Sequence, residues 1–594
     1  MTVGTVGNSP LPAPARRGGM SLLWRREVQG YPSTRARLSY LAIVVLVTIV
    51  LYYEAYAPGG VSPLILAHYK MSFLYYLNLL VVGSAFGALA TWLGGISDKI
   101  GRANLVIWGQ LVVALITLFG IPHAASKLWY AVAVTAIGMI EGVILVASPA
   151  LVRDFSPQMG RASAMGFWTL GPVAGSLTVS IVANHTLSHL HPWQDQFVIA
   201  GVAGLVMFVI SIVFLRELSP RVRDQRMVSV RDRVLIEARA LGLKVERLLE
   251  HPIRQMLRWD LVLSGLGISL FLLIYYAAVG FFTIYFVTTY NMTTAQANGI
   301  NTWGWGFNCG ALVVMGVLSD RLRVRKPFML VGALGTLAMT LVFVWEAKNA
   351  QLSYYDLVVM VSILFVFLGV AYAPWMAHYT EAIEAKNPAL TATGLAVWGW
   401  ILRIVVALAT LAVPHVVTSV TPLVENAPAA TQAALLEQGN TYLTRNEVPP
   451  VAYVTQLKAI GPPGKAFALL LTHQPVPTSL APQLTGLVDF GKAMALYNAG
   501  KPVPPALTSD LAKSSPQLST LYGQLTGLIA AKNAAPGEWQ DWWWVCVGGE
   551  AIFILVLLFN IKGRWRPSLA RRDIADYEAK VQAELETISG SKAA

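Results

Sequence analysis

Charge is scarce in this sequence. Asp, Glu, Lys and Arg make up 13% of its 594 residues, where a soluble globular chain carries about 25%. Hydrophobic residues make up 55%. So little charge implies a surface that meets lipid, where a charged side chain is costly. Cysteine is nearly missing. Cys309 and Cys546 are the two; both fall in apolar runs, which excludes a disulfide framework or a cysteine metal cluster. The apolar runs lack an alternation of period two, which excludes a membrane β-barrel. The first 37 residues lack the short apolar core and cleavage site of a secretory signal, so the first apolar run is expected to stay as an anchor. Gly461-Pro462-Pro463-Gly464-Lys465 lacks the spacing and the following Ser or Thr of a phosphate loop. Without a nucleotide site, direct ATP drive is excluded. No grouping of nucleophile, base and orienting acid stands out, so the chain reads as a non-enzyme with no cofactor.

What is present is a series of long apolar runs. A helix of about 20 apolar residues crosses the roughly 30 Å hydrocarbon core. Twelve such runs lie near 38–57, 73–96, 103–122, 127–151, 162–183, 196–215, 260–288, 296–318, 327–346, 355–378, 391–417 and 541–562. The fold class is therefore an all-α polytopic membrane protein.

Arg and Lys at span ends set orientation, because cytoplasmic loops retain them. They crowd the amino-terminal tail, the loops after spans two, four, six and eight, and the carboxyl tail; Arg16, Lys99, Arg153, Arg221, Arg321 and Arg564 are examples. The opposite short loops hold little beyond Lys70, Lys127 and Lys348. Both termini are thus expected in the cytoplasm, with the chain in the plasma membrane. The net charge of +13 then has a local cause, and nucleic acid is not needed to explain it.

One segment occurs twice. Gly94-Gly95-Ile96-Ser97-Asp98-Lys99-Ile100-Gly101-Arg102 follows span two, and Gly316-Val317-Leu318-Ser319-Asp320-Arg321 follows span eight. Both read G-x-x-x-D-[KR] at the same place in each six-span half, as in transporters built from duplicated halves. The early glycine suits close helix approach. The acid suits a helix amino terminus. The bases could pair with carboxylates of the adjacent bundle. Such contacts would lock one face and break to open it.

These residues resemble the loop signature of the major facilitator superfamily. The second copy has Arg323 where the first keeps Gly101, and Ala103 stands where a further base is expected. The resemblance covers nearly all of the chain outside both tails and residues near 419–540. It implies two six-helix bundles with alternating access around a central cavity. A second duplication closes spans four and ten. Pro149, Arg153, Asp154, Pro157 and Arg161 stand in the first copy, and Pro374, Glu381 and Pro388 in the second. Family members resembling sugar porters carry similar patterns, so Arg153, Asp154, Arg161 and Glu381 are inner-gate candidates.

The implied organisation is a basic tail (1–37), a six-helix bundle (38–215) and a cytoplasmic linker (216–259). Helices seven to eleven (260–418), an extracytoplasmic insertion (419–540), helix twelve (541–562) and a cytoplasmic tail (563–594) complete it. The linker holds a stretch from Val234 to Leu249 that fits a solvated helix between the halves, with an amphipathic helix on the inner leaflet as the alternative. The insertion, rich in Pro and Ala, reads as a small helical cap or partner-binding domain, in part unstructured, with helices near Thr431–Leu443 and Leu518–Lys532.

Ionisable residues inside spans are functional candidates. Glu54 lies near the outer end of span one, where proton-coupled relatives often carry an acid. Glu141 and Arg403 lie mid-span in different halves; facing one cavity, they could pair, or Arg403 could hold a substrate carboxylate in a bidentate contact. Glu550 in span twelve reads as structural. Asn301, Asn308 and Gln110 are weaker polar candidates. Gly171-Pro172-x-x-Gly175 in span five resembles the motif of family exporters, although Gly138 stands where exporters carry an Arg. Tyr275, Tyr276, Phe281, Phe282, Trp303, Trp305, Trp398 and Trp400 include possible cavity residues, and Trp542-Trp543-Trp544 reads as an interfacial belt.

The expected function is secondary transport of a small organic solute, coupled to protons, with a small molecule, the proton and the lipid bilayer as partners. A drug or metabolite efflux antiporter is one alternative. A non-transporting receptor or scaffold using the insertion is another.

Overall fold

The computed structural model describes Trp24 and residues 26–90, 101–155, 168–189, 192–219, 252–322, 324–349, 351–387 and 390–561, with scattered positions between 568 and 583. Almost all of it is helix. The exception is one pair of two-residue parallel strands, Glu27–Val28 (β1) against Glu217–Leu218 (β2), which ties the amino-terminal tail to the chain just after span six. The linker helix expected near 234–249 lies outside the described residues.

The first half contains α1 (Thr34–Gly60), α2 (Ser62–Tyr69), α3 (Phe73–Ala90), α4 (Arg102–Leu115, prolonged by a π turn to Gly120), α5 (Lys127–Phe155), α6 (Gly171–Thr186) and α7 (Gln194–Phe214). The second contains α8 (Pro252–Met256), α9 (Trp259–Phe271), α10 (Leu273–Tyr290), α11 (Thr294–Leu322), α12 (Lys326–Glu346), α13 (Tyr354–Glu384) and α14 (Thr391–Val416). The remaining helices are α15 (Val420–Glu425), α16 (Ala427–Arg445), α17 (Val451–Ala459), α18 (Pro462–Leu471), α19 (Ala481–Asn498), α20 (Pro505–Ser514) and α21 (Pro516–Phe559). Nine described helices, α9 and α10 counting as one, are long and apolar enough to cross a membrane, and the bent pair α2–α3 makes a tenth. The two other expected spans have plain reasons to differ. Only 16 residues of α6 are described, and α11 carries Asn298, Asn301, Asn308 and Asp320 along its length.

Lipid offers helices no hydrophobic drive to associate, so small residues and polar bonds decide the packing. Gly83 and Gly87 of α3 meet Gly138 and Gly142 of α5 backbone to backbone; a Cβ on Gly138 would sit 2.8 Å from the Gly83 carbonyl oxygen. Across the halves, α6 packs on α11 and α3 on α14.

The insertion is helical through most of its length. Helices α16 to α20 pack around the first turns of α21, burying Leu436, Leu457, Phe467, Leu511, Leu518 and Leu521 in a core of their own. The piece expected near Leu518–Lys532 is not a separate helix but the start of α21. At about 1.5 Å per residue, its 44 residues reach about 66 Å, roughly twice the hydrocarbon thickness. One helix therefore serves as both span twelve and the pillar of the cap. The aromatic belt is also corrected. Trp542 and Trp543 are buried against Phe281, Phe282 and Tyr285, while Trp544 is exposed. Successive residues on a helix point about 100° apart, so three adjacent indoles cannot share one lipid-facing side.

Candidate functional site

Of the duplicated segments, Gly101 and Arg102 are described in the first copy and Gly316–Arg321 in the second. Gly94, Asp98, Lys99, Arg161 and Pro388 lie outside the described residues, as does the side chain of Arg153. Gly101 (φ +99°) adopts a backbone that favours glycine, and an added Cβ would lie 2.5 Å from Glu217 Oε1. The Ala103 N–H donates to Glu217 Oε2 at 3.1 Å, so β2 holds the entry to α4. From that entry Arg102 Nη1 donates to both carboxylate oxygens of Asp154, at 2.9 Å each. In the second half Arg325, at the entry to α12, donates from Nη2 to Asp320 at 2.6 Å and to Glu381 at 2.8 Å. These ion pairs join helices of the same half, where the sequence suggested partners in the adjacent bundle. Gly316 is also corrected: a Cβ there would meet nothing, so it serves no close helix approach. Arg321 is exposed. The sequence reading passed over Arg325 as a site residue, although its place at the start of span nine matches that of Arg102 at the start of span three.

Glu54 is fully buried inside the first half. Gln110 Nε2 of α4 donates to Glu54 Oε2 at 2.6 Å, while Oε1 has no hydrogen-bond partner and faces Gly204 of α7 and Ala114. Glu550 of α21 repeats this in the second half: Thr340 of α12 donates to Oε1 at 2.7 Å and Oε2 is unpartnered. Spans one, three and six enclose the first carboxyl, and spans twelve and nine meet at the second.

Glu141 of α5 and Arg403 of α14 lie elsewhere, in the middle of the molecule. They act electrostatically on each other, and both act on Tyr52 of α1 and Tyr276 of α10. Neither carries a hydrogen bond or ion pair to another described residue. Both are partly exposed, as are Tyr52, Tyr56, Tyr275, Tyr276 and Tyr372. The tyrosines interact with one another; Tyr52 and Tyr56 have ring centroids 5.1 Å apart, and Tyr275 and Tyr276 5.2 Å. Partly exposed polar groups on spans of both halves are candidates to line a chamber between them. Sequence reasoning found its acid, its base and two tyrosines, and missed Tyr52, Tyr56 and Tyr372. Their i, i+4 spacing on α1 could have signalled the first two. Phe281 and Phe282 belong to the core, Trp305 is buried, and Trp303 and Trp400 are exposed.

Toward the insertion, a crevice lined by Gly60, Ser176, Ser180, Asn298, Asn301 and Trp305 has room for about one water. Asn298 Nδ2 donates to the Gly60 carbonyl at 2.7 Å, joining α11 to α1 across the halves. Farther out, the Phe73 N–H donates to Thr421 Oγ1 of α15 at 2.9 Å, and α15 packs on α2. The turn before α15 is held by Glu538 of α21, which accepts from Thr418 Oγ1 at 2.7 Å and the Ser419 N–H at 2.8 Å. The insertion thus bears on both halves. Asn308 ties α11 to the Phe365 carbonyl at 2.6 Å within the second half.

Gly171 and Gly175 bring α6 against Thr48 and Tyr52 of α1. Pro172 stands in the first turn of α6, and Trp168 and Thr169 just before it are also helical, so the proline lies at a break within the span, where its missing N–H interrupts the helix.

A family model described as Major Facilitator Superfamily matches residues 44–410. A multidrug resistance protein, MdtL of Shewanella oneidensis, is 28% identical over 128 residues, covering 21% of this chain and 31% of that protein. "Probable anion transporter 3, chloroplastic" of Oryza sativa subsp. japonica is 25% identical over 293 residues, covering 47% and 52%. The chain therefore spans about a third and about half the length of these curated relatives. Among solved structures, a bacterial homologue of the human lysosomal transporter Spinster, inward-facing and unoccupied, superposes with a TM-score of 0.53. It is 13% identical and covers 90% of this chain and 100% of its own. With its helical halves, its duplicated segments and a matched model over more than half its length, the chain belongs to the Major Facilitator Superfamily, a family of transporters and not of enzymes.

Proposed function

We propose that the protein is a proton-coupled secondary transporter of a small organic solute, working by alternating access in the plasma membrane with both termini cytoplasmic. One observation carries this reading: Glu141 and Arg403 are ionisable groups within spans of different halves, and among the described residues neither is held by a hydrogen bond or ion pair. A charge buried in a membrane protein is costly unless it is paired or wetted. Two such groups, one in each half, are understood as groups that meet a solute between the halves. The bonds from Asn298 to Gly60 and from Phe73 to Thr421 support a state closed on the insertion side. Solute would then enter from the tail side until the halves rock about the chamber. The Arg102–Asp154 and Arg325–Glu381 pairs brace each half as a rigid body during that motion. Glu54, with one bonded and one unbonded oxygen, is the proton-coupling candidate.

The test is flux in proteoliposomes of purified protein, with and without an imposed proton gradient, across a panel of sugars, organic acids, amino acids and drugs. Solute accumulation that follows the gradient supports the proposal. Absence of flux for every solute at either polarity counts against it. A second reading, export of drugs or metabolites, is favoured by the close seating of Gly171 and Gly175 on α1 and the likeness to a multidrug resistance protein. Everted vesicles separate the two directions.

A further inference from the structure

We propose that Glu550 of α21 is a proton-binding site of the second half, its proton shared with the Thr340 hydroxyl of α12. The reading above gives Glu550 no part, and the site stands apart from any solute.

The carboxyl is fully buried. Thr340 Oγ1 lies 2.7 Å from Oε1, and Oε2 has no hydrogen-bond partner. Among the described residues no ion pair reaches it, and no acid or base of α9, α10 or α12 acts on it. The ionisable group beside it is the buried Cys546 thiol, one turn back on α21. An ionised carboxyl in this place would keep one donor on Oε1 and none on Oε2, without a countercharge. A buried carboxylate so poorly met takes up a proton instead.

The threonines supply a place for that proton. A hydroxyl has one hydrogen to give. That of Thr340 has two acceptors in reach, Glu550 Oε1 and the Thr336 carbonyl at 3.0 Å. Threonine within a helix can give its hydrogen to the carbonyl one turn back, as Thr336 does to Gly332 at 2.9 Å. With Thr340 turned that way, its oxygen accepts the carboxyl hydrogen of Glu550. With the carboxyl ionised, the Thr340 hydroxyl turns to donate to Oε1. One hydroxyl rotation thus serves both charge states. Uptake moves a proton from water to the carboxylate, and release returns it to water.

The enclosure matches that of Glu54. Spans one, three and six surround Glu54, where Gln110 meets one oxygen and the other is unpartnered. Around Glu550 the same three places are filled. Thr340 comes from span nine and Glu550 from span twelve. A Cβ on the adjoining Gly549 would lie 2.5 Å from the Leu270 carbonyl oxygen of span seven. The acids stand on different members of the set, so the likeness lies in the enclosure and not in a copied residue. Carboxyls inside spans mark proton relays, and each half holds one in this setting.

The test is infrared spectroscopy of the full-length protein in detergent at neutral pH. It reads the C=O stretch that a protonated carboxyl has and a carboxylate lacks. Wild type minus Glu550→Gln should leave a carboxylic-acid band. That band should shift to lower frequency in D2O as its proton exchanges, and fade as the pH is raised while carboxylate bands grow. Glu54→Gln should leave it in place. Thr340→Val removes the hydroxyl at nearly constant size and should move the band to higher frequency; this variant takes over where Glu550→Gln fails to fold. Three results overturn the proposal. One is no carboxylic-acid band lost in Glu550→Gln, which would make the group ionised. Another is a band that neither shifts in D2O nor fades at raised pH, which would make it a static neutral group. The third is a band unmoved in Thr340→Val. Flux in liposomes is measured separately. Flux that ignores the proton gradient would remove the coupling reading and leave the proton site. Gradient-driven flux with no Glu550 band would do the opposite.

Discussion

Arg102 reaches across 52 residues of sequence to bond both carboxylate oxygens of Asp154. Each side chain is nearly buried, at 11% and 8% exposure. Arg325 makes the matching reach to Glu381 in the other half, but there the carboxylate is 53% exposed. Like positions in the duplicated halves thus carry like bonds in unlike surroundings.

That difference sets a stability prediction. Removing one partner of a buried pair strands a charge and costs about 3–5 kcal/mol, whereas an exposed pair is worth about 1 kcal/mol or less. Asp154→Asn should lower the thermal midpoint in detergent markedly, and Glu381→Gln only slightly. Equal shifts would contradict the burial argument.

Glu54→Gln keeps the size of the side chain and its place beside Gln110 while removing the titrating group. It should abolish accumulation driven by a proton gradient and leave downhill exchange of solute intact. Unchanged accumulation would remove Glu54 from the coupling role.

Glycine substitutions separate close packing from open surface. At Gly138 an added methyl would press on the Gly83 backbone, and overpacking of this kind costs about 1–3 kcal/mol. At Gly316 nothing lies in the way, and exchanging a helical glycine for alanine gains about 0.5–1 kcal/mol. Gly138→Ala should therefore destabilise the protein in a denaturation assay, and Gly316→Ala should not.

Thr421 of α15 accepts from Phe73 of the first half, and Glu538 holds the turn that positions α15 for that bond. Losing a hydrogen bond to a charged group is worth about 1.5–3 kcal/mol, enough to shift an opening equilibrium about tenfold or more. With Ser180→Cys as a reporter in the crevice, and Cys309 and Cys546 replaced by Ala, Glu538→Gln should speed labelling by an impermeant maleimide by about that factor. An unaltered rate would mean that the insertion does not restrain opening on that side.

The sequence alone determined the lipid-facing class, the duplicated halves, the insertion and the mid-span charges Glu141 and Arg403. These are properties of one stretch of chain at a time: a run of apolar residues matches a bilayer whatever its neighbours are, and a repeated segment is visible as such. Tertiary structure decided which groups meet. It paired Arg102 with Asp154 within a half, enclosed Glu54 beside Gln110, and turned Trp542 and Trp543 inward. It also brought tyrosines of α1, α10 and α13 close to one another. Those outcomes depend on which helices become neighbours and on how each is rotated about its axis. That rotation is set by contacts between residues far apart in the chain, such as Gly138 on Gly83, and hydropathy carries no record of it.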